Sequence, residues 1–172
     1  MKYTIELESP DYSFHATHFV AFPQRGAEDG APWYGEPPHE HDFFVSARLS
    51  CPLDASDCVV DFIAARRALL DVLARWNNRF LVATNMPCVS YVEKPTEDAL
   101  EIQWKGAPSR ATYTTPLSRV FWINASNASA EIVAGLILVE WLESLPIDFA
   151  PGVYSATLRL EEALGFFAEA SL

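Results

Sequence analysis

Positive charge is scarce in this chain. Its 172 residues carry 12 Lys and Arg against 23 Asp and Glu, a formal charge of −11 at pH 7. Nucleic acid is held by cationic side chains that release counterions from its phosphates, so it is a poor partner for such a surface. Polyanionic small molecules meet the same repulsion unless Arg or Lys is gathered locally, for instance across a subunit boundary. Long hydrophobic runs are missing too. No window reaches the roughly 18 apolar residues that a membrane span needs, so no membrane partner is expected. The opening Met1-Lys2-Tyr3-Thr4-Ile5-Glu6 lacks the apolar stretch of a secretory leader and meets an acid early. These features point to the cytoplasm. Cysteine is sparse, with only Cys51, Cys58 and Cys88. An odd number without metal-type spacing argues against a disulfide framework and for ordinary small thiols. Repeats and low-complexity segments are absent.

What is present is apolar material: hydrophobic residues make up 50% of the chain. That is enough for one domain over residues 1–172 with a core of its own. Tyr3, Ile5 and Leu7 alternate with polar residues, which predicts a strand over 2–8. Ser9-Pro10-Asp11 reads as a break, and 12–22 as a second extended stretch. Residues 23–38 are rich in Pro, Gly and acids, a loop long enough to be functional. A strand follows from His39 to Leu49. Asp61 is placed to cap a helix over 62–76, with Phe62, Ala65, Leu69, Leu73 and Trp76 as its buried stripe. Residues 99–122 suggest a hairpin around Gly106-Ala107-Pro108-Ser109. Asn127 is expected to cap a second helix over 128–143, with Ile132, Leu136, Val139 and Leu142 inward. After a loop over 146–152, a last strand is expected from Tyr154 to Glu161, with Leu158 and Leu160 on one face and Glu162 following on it. The class is α+β, a sheet with helices on one side.

The chemistry concentrates in the histidines, of which there are four. In Glu36-Pro37-Pro38-His39-Glu40-His41-Asp42-Phe43, two histidines head an apolar row that continues through Phe43, Val45, Ala47 and Leu49. Histidines two apart on a strand point the same way, with Cβ atoms roughly 6.5–7 Å apart, close enough for both imidazoles to reach one ion. A third can come from a neighbouring strand, and His18 is the natural choice. On a regular strand His18 shares a face with Phe14 and Ala16 while His15 faces away. Zinc takes N and S donors tetrahedrally, and a catalytic zinc keeps one position open, so three protein ligands suffice. The bland alternative, half-buried polar residues on a β face, is equally compatible with the pair alone.

Taken together, these segments resemble the family of 6-pyruvoyl-tetrahydropterin synthases and 6-carboxy-tetrahydropterin synthases. Phe14-His15-Ala16-Thr17-His18 is similar to its Phe-x-Ala-x-His segment, and His39-Glu40-His41-Asp42-Phe43 to its His-Gly-His-x-aromatic. Val60-Asp61-Phe62 resembles the start of its first helix, and Asn127-Ala128-Ser129-Ala130-Glu131 the opening of its second. Leu160-Glu161-Glu162-Ala163, followed by Ala168, resembles its last strand. The likeness runs in order over about residues 3–170. It implies the tunnelling fold, an antiparallel sheet with two helices on one face. It also implies trimers paired into a homohexamer, with the active site between subunits. By the same resemblance Zn2+ would be held by His18, His39 and His41. The substrate would be 7,8-dihydroneopterin triphosphate or a related dihydropterin, with Glu162 on the pterin amidine edge and Ser129 in the substrate-binding segment.

The chain departs from that pattern at its proton carriers. The family's catalytic Cys would precede His39 by a few residues, where this chain has Trp33, Tyr34 and Gly35. Glu36 stands three before His39 instead. This resembles the type III branch, in which a Glu replaces the Cys and the side chain can be cleaved to give 6-hydroxymethyl-dihydropterin. A carboxylate beside a metal-bound hydroxyl can move its proton, which makes Glu36 the candidate catalytic base. The family's Leu-Asp-His-Arg-Tyr-Leu reads here as Trp76-Asn77-Asn78-Arg79-Phe80-Leu81, so both titratable groups are amides. Glu40 replaces the Gly between the paired histidines and should point away from them. Residues 88–122 exceed the family's compact core and are expected to extend the sheet as an extra hairpin. Three functions stay open: a zinc lyase on a dihydropterin, an enzyme for a different pterin-like or purine-like ligand, and a non-catalytic pterin-binding member.

Overall fold

The computed structural model describes residues 1–23, 33–54, 57–105, 110–146 and 154–172. The expected turn at 106–109 and most of the loops expected at 23–38 and 146–152 lie outside the described residues. The first half of the chain forms β1 (Tyr3–His18), β2 (Ala21–Pro23), β3 (Trp33–Gly35), β4 (His39–Cys51) and α1 (Phe62–Trp76). β5 (Arg79–Ala83), β6 (Val89–Lys94), β7 (Ala99–Trp104), β8 (Ala111–Pro116) and β9 (Val120–Ile123) follow. The chain ends in α2 (Ala130–Ser144), β10 (Ser155–Ala163) and β11 (Phe166–Ser171). The fold class is α+β, as expected. None of its described helices is long and apolar enough to cross a membrane.

The chain divides into two compact units. Met1–His15, His41–Asn77 and Ala130–Leu172 form the first, and Ala16–Glu40 with Asn78–Ser129 the second. In the first unit the strands run in the order β11-β10-β4-β1, with β10 antiparallel to both β11 and β4. One face of this sheet is dry. Phe43, Ala47, Leu49, Leu158 and Leu160 are at most 1% exposed, whereas Phe44, next to Phe43, is 47% exposed. The helices cover the dry face. Trp76 of α1 meets Phe14 with ring centroids 6.2 Å apart, and α2 packs on β10 and β11. Trp141 of α2 donates through Nε1 to the Ala65 carbonyl of α1 at 3.1 Å.

α1 has the bounds that its periodicity predicts, and the Asp61 side chain accepts from the Ile63 N–H at 2.8 Å as its N-cap. Phe62 is not in the stripe; it is 55% exposed, and Ala68 and Val72 are buried instead. α2 departs further. It starts at Ala130, not 128, and buries Val133, Ala134, Ile137, Leu138, Trp141 and Leu142. Ile132 and Val139, expected inside, are 36% and 42% exposed. This helix is apolar nearly all round, so periodicity does not single out a face; the large Trp141 does.

β1 does not break at Ser9-Pro10-Asp11. Ile5 and Leu7 are buried before it, and Tyr12, Phe14, Ala16 and His18 after it, so the buried phase slips from odd to even. One extra residue is absorbed as in a β-bulge, where Pro costs no ladder bond.

The second unit holds the end of β1 with β5 and β9, in that order. Both pairings are parallel: Ala16 and Thr17 lie opposite Arg79 and Phe80, and Phe80 opposite Val120. The sheet is thus mixed. A parallel return needs a crossover of a dozen or more residues. The segment between β5 and β9 supplies it, and this is why residues 88–122 do not form a hairpin added to the main sheet. Their strands β6, β7 and β8 form a separate antiparallel sheet, in that order, while β9 rejoins the main sheet beside β5. Tyr91 anchors it by donating to the Ala83 carbonyl at 2.7 Å. β9 is cut from β8 by a single turn at Leu117–Arg119, which Asp98 holds by accepting from the Ser118 N–H and hydroxyl, both at 2.8 Å.

Candidate metal centre

The apolar alternation of β1 and β4 positions the histidines. In β1 the buried row Tyr12, Phe14, Ala16 ends in His18, which is 1% exposed. In β4 the buried row Leu49, Ala47, Val45, Phe43 continues outward to His41 and His39, both half-buried. Burial of the rows fixes which way these imidazoles face. His15 faces the other way, as the two-residue period requires, and its Nδ1 lies 3.0 Å from Asp42 Oδ1. Glu40 also points away from His39 and His41; its carboxylate accepts from the Thr17 hydroxyl at 3.2 Å.

Two of the rings have their tautomer set by a carbonyl. His18 Nδ1 lies 2.8 Å from the Ala128 oxygen and His39 Nδ1 2.9 Å from the Pro37 oxygen. A carbonyl only accepts, so each Nδ1 donates and the lone pair of the neutral ring sits on Nε2. The two rings meet edge to face, with centroids 4.6 Å apart. The Nε2 of His18 is itself buried.

Glu162 reaches His41 from β10. Glu161 lies opposite Phe44 on β4, and the register against β11 shifts between Glu161 and Ala163. The intervening Glu162 thus sits at a bulge, a device that re-aims a side chain. Its Oε1 is 3.5 Å from His41 Nε2. One ligand atom each from His18, His39, His41 and Glu162 lies within 4.8 Å of all the others, a His/Glu cluster that can hold a metal ion. Strand alternation puts Glu162 on the face of Leu158 and Leu160, and the resemblance implies its substrate role; its proximity to His41 depends on the bulge, which the alternation does not encode.

Glu36 is not in that group. Its Oε2 is 3.8 Å from His39 Nε2, and its side chain is 41% exposed. Its backbone N–H donates to the Val20 carbonyl at 3.1 Å. Ser129 is half-buried, directly after the Ala128 that holds His18 and directly before α2. Asn127 does not cap α2. Its Oδ1 accepts from the N–H of Ala21 and of Ala128, both at 3.1 Å, and its Nδ2 donates to the Ala21 carbonyl at 2.6 Å. No local pattern signals the part played by Ala128, whose carbonyl orients His18. Asn77 has a structural duty: its Oδ1 accepts from the His15 N–H at 2.9 Å.

Solved structures with this architecture define its class. The 6-pyruvoyl tetrahydropterin synthase of Plasmodium vivax matches with a TM-score of 0.83 at 20% identity, over 100% of this chain and 98% of that one. The Plasmodium falciparum 6-pyruvoyl tetrahydropterin synthase matches at 0.81 and 17% identity, over 99% and 98%. A Plasmodium vivax variant with a catalytic-residue glutamate replaced by alanine matches at 0.82 and 20% identity, over 100% and 98%. No family model matches the sequence, and no curated protein does. The chain therefore has the fold of the 6-pyruvoyl tetrahydropterin synthases. The match to the first of these takes in residues 88–122, so the β6-β7-β8 segment lies within the shared length.

Proposed function

We propose that this chain is a zinc-dependent enzyme of the 6-pyruvoyl-tetrahydropterin synthase family, of the branch that uses a glutamate in place of the catalytic cysteine. It performs lyase chemistry on the side chain of 7,8-dihydroneopterin triphosphate or a related dihydropterin. The observation that carries the reading is the cluster of His18, His39, His41 and Glu162 on this fold. Two imidazoles with Nδ1 tied to carbonyls and Nε2 left as the donor suit zinc, whose histidine ligands are oriented by such bonds. His18, His39 and His41 would hold the ion, which when bound acidifies a substrate hydroxyl. Glu36, close to His39, accepts the proton. A glutamate is named as catalytic in the Plasmodium vivax variant, which supports this role. Glu162 accepts two parallel N–H bonds from the pterin edge, a geometry that a carboxylate matches, and Ser129 contacts the substrate. The working form is a cytoplasmic homohexamer, a dimer of trimers, whose neighbouring subunits contribute the cations that a triphosphate requires.

A second reading rests on the 3.5 Å between Glu162 and His41. As a fourth ligand, Glu162 would close the coordination sphere, as in structural zinc sites. The chain would then bind a pterin-like or purine-like ligand, or none, without turning it over.

Incubation of the zinc-loaded protein with dihydroneopterin triphosphate, with chromatography for 6-hydroxymethyl-dihydropterin, tests the first reading. Turnover should vanish in Glu36→Gln while zinc content stays at the wild-type level. Glu162→Gln separates the two: retained zinc with a raised KM supports the substrate role, and loss of zinc supports the fourth ligand. A wild-type protein that takes up no zinc overturns both.

A further inference from the structure

Gly35 and Trp104 touch in a way that bears on Glu36. A Cβ built on Gly35 would lie 2.6–2.8 Å from three carbons of the Trp104 indole. Residue 35 therefore has to be glycine while the ring stays where it is. The ring has little freedom to move. Trp104 is 5% exposed and ends β7, the central strand of its sheet, where it lies opposite Val89 on one side and Ala111 on the other. The Lys105 N–H, next along, donates to the Cys88 carbonyl at 2.8 Å.

The strand carrying Gly35 is held from its edge as well. Gly35 pairs with Ala21, and Glu36 N–H with the Val20 carbonyl. Ala21 is gripped through both backbone groups by Asn127. At the far end of the short Glu36–His39 segment, His39 is tied to the Pro37 carbonyl. The backbone that launches the Glu36 carboxylate is thus fixed at its edge by hydrogen bonds and on one face by an indole ring.

We propose that Trp104 is a positioning residue. Its indole, laid against Gly35, sets where the Glu36 carboxylate stands relative to His39, and the β6-β7-β8 sheet serves as the rigid mount for that ring. Trp104 touches no reacting atom; it acts through the backbone of residue 35. The functional part of this inference rests on the role proposed for Glu36, whereas the geometric part does not. Functional groups are most exact when the backbone behind them is locked by packing.

The test uses Trp104→Phe, Trp104→Ala, Gly35→Ala and the double variant Gly35→Ala/Trp104→Ala in the full-length protein. Crystal structures of the zinc-loaded variants read the Glu36–His39 separation directly, without any activity. In Trp104→Ala and Gly35→Ala the carboxylate should shift by about 1 Å or lose definition, with the three histidines unmoved. Misplacement on that scale costs on the order of 10²-fold in turnover, so kcat should fall by about that factor with KM and zinc content little changed. Trp104→Phe should keep part of the rate. The double variant should recover some of what Gly35→Ala loses, because the clashing ring is gone. An unmoved carboxylate in the Gly35→Ala crystals overturns the proposal, and this variant serves if Trp104→Ala does not fold. Additive losses in the double variant overturn it as well. If the wild type is inactive on the pterin, the crystallographic result still decides the positioning, and only the proposed reaction fails.

Discussion

His18 donates through Nδ1 to the carbonyl of Ala128 at 2.8 Å, and that bond decides which ring nitrogen is left to bind a cation. With Nδ1 committed, the lone pair sits on the buried Nε2. His15, three residues earlier, has its Nδ1 on Asp42 and belongs to the opposite face. The two histidines should therefore separate cleanly on mutation. His18→Ala should weaken zinc binding by at least about 10²-fold, the upper range seen when even an outer-sphere partner is lost. His15→Ala should leave zinc affinity unchanged. Competition titration against a chelator measures both, and equal losses in the two variants would remove His18 from the ligand set.

Asn127 holds both backbone groups of Ala21, in addition to the pairing of Ala21 with Gly35. It accepts from the Ala21 N–H and donates to the Ala21 carbonyl, as a neighbouring backbone would. Asn127→Ala leaves these part-buried groups without that partner and should cost about 1–3 kcal/mol in urea denaturation. Asn127→Asp keeps the acceptor and loses the donor, so it should fall between alanine and wild type. A change under about 0.5 kcal/mol for alanine would mean that the clamp contributes nothing to stability.

Which parts of this were legible beforehand follows from how local each signal is. α1 was readable to the residue because Asp61 and a clear stripe mark it within one segment. The facing of His18, His39 and His41 was readable because strand alternation needs only neighbours. The start of α2 was not, because Asn127 is claimed by a residue 106 positions away, a bond that no local pattern contains. The buried face of α2 was ambiguous because apolar residues surround it. The approach of Glu162 to His41 depends on a bulge and on the β4–β10 pairing. The role of Gly35 depends on a ring from a different sheet. Local alternation marks the candidate ligands, and His39 is oriented by the nearby Pro37 carbonyl, whereas the carbonyl that orients His18 comes from a distant segment.

Burial pushes the Tyr91 phenol up to about 12 from its ordinary value near 10. The sign follows directly. Below pH 10 both folded and unfolded chains hold the proton, and the stabilisation is fully present. Between about 10 and 12 the unfolded chain releases it first, so stability falls as pH rises through that window. Discounted for the ring's part exposure, the loss should be about 1–2 kcal/mol. Tyr91→Phe should cost about 1 kcal/mol at neutral pH through the lost bond to Ala83. That gap should narrow, or reverse, on going from pH 10 to 12. Paired denaturation curves at several pH values read the difference between the two proteins, which cancels the lysines that titrate in the same range.

Asn77 and Asn78 can be changed without disturbing the backbone they terminate. Asn77 is the C-cap of α1, its N–H on the Leu73 carbonyl, and its side chain serves only as an acceptor for the His15 N–H in that bond. Aspartate accepts equally well there. Asn78 sits at φ 58°, the left-handed region, which histidine tolerates far better than a branched residue does. The double variant Asn77→Asp/Asn78→His should therefore fold with stability within about 1 kcal/mol of wild type. It places two titratable groups where this chain has only amides. If proton transfer limits the reaction proposed for Glu36, turnover of the dihydropterin should rise in the double variant. The rise should not appear in Asn77→Asp alone, because an aspartate without the imidazole has no relay partner. Steady-state rates at matched zinc content check this. A stable double variant with an unchanged rate would show that Glu36 already carries the proton as fast as the reaction needs it.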